Sequence, residues 1–333
     1  MLIPEFWAEA TQLLQHDNRQ QTIRRFGWSN QNEAEAFAMA QTRLHDAIQR
    51  LEQGEQIYLR EHHAVYNGAF GVPIREEILA RYDEEIISRN GYGAHCLNTP
   101  RVLFADIDFE EQTATNIGQG SRVFWALLLT VLGILSSYFL FADWLGRGLY
   151  LVVILFLIFK WSAKQNKKQN NTAQPQVDPV DAYKQRLALF LKQHPLWNIR
   201  LYRTPSGLRL MATHQFFAAN DPVVKDFFDF MGVDAVYAQM CIRQQCFRAR
   251  LSAKPWRIKG FQQERPRTLW PVAAHQQELR QKWIAQYEQQ AAPYAACHYL
   301  EEMGSSRVDR QLASIIDLHD RESKAHYLER PIA

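Results

Sequence analysis

The segment from Val123 to Ala142 reads VFWALLLTVLGILSSYFLFA, twenty residues without a formal charge. At 1.5 Å per residue a helix of that length is about 30 Å long, the thickness of a bilayer's hydrocarbon core. Thr130, Ser136 and Ser137 can bond back to helix carbonyls and do not spoil the span. The competing reading is a buried helix of a soluble domain, although such helices seldom run this far without a polar face. A short polar break, Asp143–Gly148, is followed by LYLVVILFLIF at 149–159. Counted from Trp144 to Trp161, with Arg147 snorkelling, this second stretch reaches eighteen residues. It reads as a second span or as a re-entrant segment. The expectation is a transmembrane helical hairpin over residues 122–161 (about 123–142 and 144–161), with Trp144, Arg147, Lys160 and Trp161 at the interfaces.

The flanks orient the hairpin. Arg122 precedes it, Lys160, Lys164, Lys167 and Lys168 follow it, and the turn carries one acid and one base. The positive-inside bias places both termini in the cytoplasm, in a bacterial plasma (inner) membrane, with the lipid bilayer as partner. The N-terminal MLIPEFWAEATQLL lacks a basic region followed by an apolar run, so insertion is expected from the hairpin rather than a signal peptide. Over the whole chain, 333 residues with 47% hydrophobic and 12% aromatic content exclude a mainly disordered class, and 15 Gly with 13 Pro exclude a collagen-like one. Four scattered cysteines exclude a disulfide scaffold and fit a reducing compartment. Buried thiols, rather than a zinc site, are the default for Cys241, Cys246 and the isolated Cys297-His298.

Elsewhere the pattern alternates between helix and strand signals. Residues 1–121 read as a mainly helical part: IPEFWAEATQLL, Asn30–Gln53 with a stripe from Ala36 to Leu51, and 73–89 opened by Pro73. That part ends in an apolar strand at 101–109, RVLFADIDF. Residues 162–180 form a polar linker. Residues 181–333 add a helix at 181–193, then a β-hairpin of Asn198–Arg203 and Leu208–Thr213 around Thr204-Pro-Ser-Gly207. Short helices follow near 222–231 and 235–244, then a strand at Cys246–Leu251, a helix at about 275–291 and a further one at 293–303. The strand at 101–109 has no sheet partners on its own side of the hairpin. The expected fold is therefore α/β (α+β), a single split cytosolic domain interrupted by the two-helix transmembrane hairpin.

Asp106 and Asp108 close that apolar strand, and residues two apart on a strand share a face. Converging carboxylates suit a hard divalent cation, Mg²⁺ or Mn²⁺, held against a phosphate. The same acids could equally end the strand in solvent. Residues 200–267 carry twelve Lys and Arg against five acids. Arg248 and Arg250 share one strand face suited to phosphate, and Arg209 lies on the preceding hairpin. These cations could instead meet lipid headgroups, a protein partner, or only solvent. His214, at a strand end, reads as a structural or a catalytic group.

VLFADID, THQ at 213–215 and SIIDLHD at 314–320 resemble the three motifs of the archaeo-eukaryotic primase superfamily: a strand ending in Asp-x-Asp, a later His, and an acid after an apolar stretch. That resemblance implies catalytic roles for Asp106, Asp108 and His214, with Asp317 as the third acid. The Asp-x-Asp alone is similar to that of glycosyltransferases that bind a sugar nucleotide through a metal. The expected function is binding or transfer of a nucleotide or other phosphate ester through a divalent metal at Asp106 and Asp108, with Arg209, Arg248 and Arg250 on the phosphate. The alternative is a non-enzymatic scaffold with a basic binding face.

Overall fold

The computed structural model describes residues 1–16, 19–61, 68–69, 72–109, 150 and 179–333. Their strands, in chain order, are β1 (Phe6–His16), β2 (Arg19–Ser29), β3 (Glu77–Tyr82), β4 (Glu85–Arg89), β5 (His95–Thr99), β6 (Phe104–Asp108), β7 (Asn198–Arg203), β8 (Gly207–Ala212), β9 (Phe247–Arg250) and β10 (His298–Gly304). The helices are α1 (Glu33–Glu52), α2 (Pro179–Gln193), α3 (Pro222–Met231), α4 (Ala235–Gln244), α5 (Ala274–Ala291) and α6 (Ala313–Ser323). All strand pairs are antiparallel, in three sheets ordered β1-β2, β10-β7-β8-β6 and β3-β4-β5-β9. Met1–Asp108 and Tyr183–Ala333 form one compact unit, and Phe109–Ala182 a second. The site described below lies wholly in the first.

The expected fold class is corrected. Among the described residues the chain is an antiparallel α+β fold of three sheets and six helices, and none of these helices is long and apolar enough to cross a membrane. The physical reason lies in their faces. α1 buries a stripe of Ala36, Ala40, Leu44, Ala47 and Ile48 and turns acids and an arginine outward, while α5 (AHQQELRQKWIAQYEQQA) is polar on most of its circumference. The hairpin expected over 122–161, with Trp144, Arg147, Lys160 and Trp161, lies outside the described residues, as does most of the 162–180 linker. The membrane placement that rested on the hairpin draws no support from the described helices.

The N-terminal part is also corrected, from mainly helical to mainly strand. Phe6–His16 pairs along its full length with Arg19–Ser29, so from Phe6 onward the apparent amphipathic helix instead faces cross-strand partners. α1 covers this hairpin closely: a Cβ at Gly27 would fall 2.0 Å from the Ala36 carbonyl oxygen, so only glycine fits there. The helix expected at 73–89 is likewise replaced, from Glu77 to Arg89, by the β3–β4 hairpin, turning through Asp83 at φ 55°. The helix expected at 293–303 is β10, which satisfies the backbone edge of β7. The remaining helices and the 198–212 hairpin fall where the periodicity puts them.

β8 is buried at every position, and β6, at the sheet edge, pairs with it. β9 forms the edge of the other four-stranded sheet. Both sheets share one core, with Leu97, Phe247 and Ala249 from one and Phe104, Ile107, Leu201 and Leu210 from the other. Tyr237 of α4 links the two edges. Its hydroxyl lies 3.0 Å from both the Phe104 and the Arg248 carbonyl oxygens and accepts from the Arg248 N–H at 3.2 Å.

Candidate functional site

Where β6 and β8 meet β9, a cavity of about 640 Å³ opens between the two sheet edges. Asp106, Asp108, Arg209, Arg248 and Arg250 all line it. Strand alternation explains the two pairs: positions 106 and 108 share one face of β6, and 248 and 250 one face of β9. Arg75, Arg89, Lys254, Arg257, Arg265 and Arg280 add cations to the wall, against only Glu76 and Asp234 as further acids. Such a concave, strongly cationic enclosure falls in the size range of small-molecule sites.

Each candidate has definite partners. Asp106 stands directly opposite Arg209 in the β6–β8 register, and the two form a bidentate pair, Nε to Oδ1 at 2.7 Å and Nη2 to Oδ2 at 3.0 Å. Arg209 is only 1% exposed. Burial works against its charge, but the Asp106 carboxylate outweighs that and raises its pKa. Its Nη1 donates to the Arg250 carbonyl at 2.8 Å and lies 3.3 Å from His319 Nε2. His319 in turn places Nδ1 at 2.9 Å from Asp320, which also accepts from Arg200 at 2.8 Å and meets His326 at 3.0 Å. Burial disfavours the Asp320 carboxylate, yet His319, Tyr202 and Arg200 together depress its pKa to about 2. Across the cavity, Arg248 donates to both oxygens of the buried Glu76, at 2.8 and 2.7 Å, and to Asn98 at 3.1 Å.

A different group of cations has no such partner. Among the described residues Lys254, Arg257 and Arg265 make no ion pair. Arg250 spends Nη1 on the Ser252 carbonyl and an oxygen of Ala333, leaving Nε and Nη2 uncommitted. Its pKa is lowered first by burial and then by neighbouring Arg209, and that of Lys254 by burial and then by Arg250 and Arg257. Arg257 donates from Nη2 to Ser206 Oγ at 3.1 Å, and its buried Nη1 has no hydrogen-bond partner among the described residues. Mutually repelling, half-desolvated cations of this kind gain most from an anion between them.

Mg²⁺ or Mn²⁺ fits this donor set poorly. Both Asp106 oxygens accept from Arg209, and Asp108 Oδ1 accepts from Ser206 Oγ at 2.8 Å. Among the described residues no group of three His, Cys, Asp or Glu side chains is placed to hold a metal ion.

His214 lies elsewhere. It packs between Trp197 and Phe217, its Nδ1 accepts from the Asn198 N–H at 3.2 Å, and it does not line the cavity. Asp317 sits exposed on α6. The three motif segments therefore do not converge; from SIIDLHD, His319 comes within 3.3 Å of the Arg209 guanidinium and Asp320 lies behind it. Burial lowers the His214 pKa from 6.5 to about 4. Between those values the unfolded chain binds a proton that the native state refuses, so stability falls as pH drops from 6.5 to 4. His214 alone should make the protein about 2 kcal/mol less stable at pH 5 than at pH 7, a difference that His214→Phe abolishes in urea unfolding.

Sequence reading missed Lys254, Arg257, Tyr237 and the His319–Asp320 pair as site residues. The first two lay within the basic stretch it singled out. The others carry no local signal, because their roles depend on which strand edges they meet. No family model, curated protein or solved structure matches this chain.

Proposed function

We propose that the cavity binds a small phosphate-bearing anion directly through arginine and lysine, without a metal bridge. The observation that carries this reading is the pair Lys254 and Arg257: cations on the wall of one cavity with no carboxylate paired to them among the described residues. Arg209 and Arg248 set up the wall, each neutralised by its own acid, Asp106 and Glu76. Lys254 and Arg257, with Arg250 beside them, supply the binding charge. Guanidinium groups suit phosphate because they donate in a planar fork and stay charged when partly desolvated. The concave shape favours a small ester over the flat contact a scaffold would make.

Isothermal titration with inorganic pyrophosphate in EDTA tests this. Binding is expected without added Mg²⁺ and should weaken with rising salt. Lys254→Met and Arg257→Met, both at partly exposed positions, should each weaken it at least about tenfold, the value of one charge-assisted hydrogen bond. Absence of binding, or binding that appears only with Mg²⁺ or Mn²⁺, would overturn the reading.

A further inference from the structure

Within the cavity one hydroxyl is placed unlike the rest. Ser206 occupies the two-residue turn between β7 and β8, closed by the Thr204 N–H to the Gly207 carbonyl at 3.0 Å. Gly207 lets β6 approach this turn, since a Cβ there would fall 1.8 Å from the Ile107 carbonyl oxygen. That approach sets Ser206 Oγ 2.8 Å from Asp108 Oδ1, to which it donates. From the other side Arg257 Nη2 donates to the same oxygen at 3.1 Å, and Lys254 belongs to the same wall. The hydroxyl thus has an acceptor for its proton and a cation against the charge that develops on it. Arg257 Nη1, buried without a partner among the described residues, is a donor left for the anion itself.

We infer that Ser206 is a phosphoryl acceptor: a nucleophile that takes a phosphoryl group from an ester or anhydride bound in this cavity. The inference rests on the phosphate-binding reading above. In the step, Ser206 Oγ forms a bond to phosphorus and its proton passes to Asp108 Oδ1. The bond from phosphorus to the leaving oxygen breaks, and the leaving group departs with that electron pair: an alkoxide takes a proton from water, whereas a carboxylate or phosphate leaves as the anion. Asp108 then returns its proton to solvent, so transfer from an alkyl ester leaves the proton count unchanged and transfer from an anhydride releases one proton. No redox partner is needed. Phosphoryl transfer asks little of the nucleophile beyond position, and much of the cations that neutralise the transferring oxygens. Arg257 and Lys254 serve that need, while Asp108 acts as the general base.

The test incubates the full chain separately with acetyl phosphate, ATP and p-nitrophenyl phosphate, quenches in acid, and maps the product by mass spectrometry. A gain of one HPO3 on the peptide containing Ser206 is expected with at least one donor. Ser206→Ala should carry none. Asp108→Asn should label at least about 100-fold more slowly while unfolding in urea at nearly the parent midpoint, which a merely turn-closing role would not produce. Labelling at another residue, or none in a parent chain that binds pyrophosphate, overturns the inference and leaves the binding reading standing. Failure to bind pyrophosphate as well as to label overturns both.

Discussion

Asp106→Ala is expected to destabilise the fold by about 3–5 kcal/mol, the cost of leaving a buried charge without its partner. Arg209 is 1% exposed, and the Asp106 carboxylate holds both its Nε and its Nη2. The remaining contacts, a carbonyl and an imidazole nitrogen, carry no full charge to offset it. The double variant Asp106→Ala/Arg209→Met should recover much of the loss, because it removes the stranded charge together with its partner. Urea unfolding of the two variants decides the matter. A loss below about 1 kcal/mol in the single variant would show that Arg209 finds solvent or another acceptor. The consequence for function is direct: loss of ligand binding in an Asp106 variant reports first on folding, whereas variants of Lys254, Arg257, Ser206 or Asp108 probe the chemistry.

The second large effect lies across the cavity. Arg248→Met should cost a comparable amount, about 3–5 kcal/mol, because it removes the guanidinium that donates to both oxygens of Glu76, itself only 2% exposed. Ser88 Oγ, donating at 2.7 Å, remains, yet one hydroxyl does not replace a guanidinium that reaches both carboxylate oxygens. Urea unfolding of Arg248→Met beside the parent checks it, and a loss below about 1 kcal/mol would contradict the structural role of the Arg248–Glu76 pair.

The two strands that frame the cavity were legible from alternation alone. Asp-Ile-Asp at 106–108 and Arg-Ala-Arg at 248–250 each put like residues on one face, and both faces turn out to border the same space. What those residues do there was not legible. A DxD at a strand end is compatible with a metal, a solvated edge or an ion pair, and the choice depends on the residue opposite. Here that residue is Arg209, brought across from a distant part of the chain by the β6–β8 register. The N-terminal misreading has the same origin. Trp7, Ala10 and Leu14 fit a helical stripe as well as a strand, and only pairing with Arg19–Ser29 selects the strand.

Local composition and periodicity settled the turn at Thr204–Gly207, the helices from 222 to 244, the charge-free run at 123–142 and the concentration of cations between 200 and 267. These are short-range properties, written in neighbouring residues. Which cation is neutralised and which remains open to a ligand is long-range: Arg209 and Arg248 meet acids more than a hundred positions away, while Lys254 and Arg257 do not. Desolvation and countercharge act through space, so the division between structural and ligand-facing arginines arises only once the strands have paired.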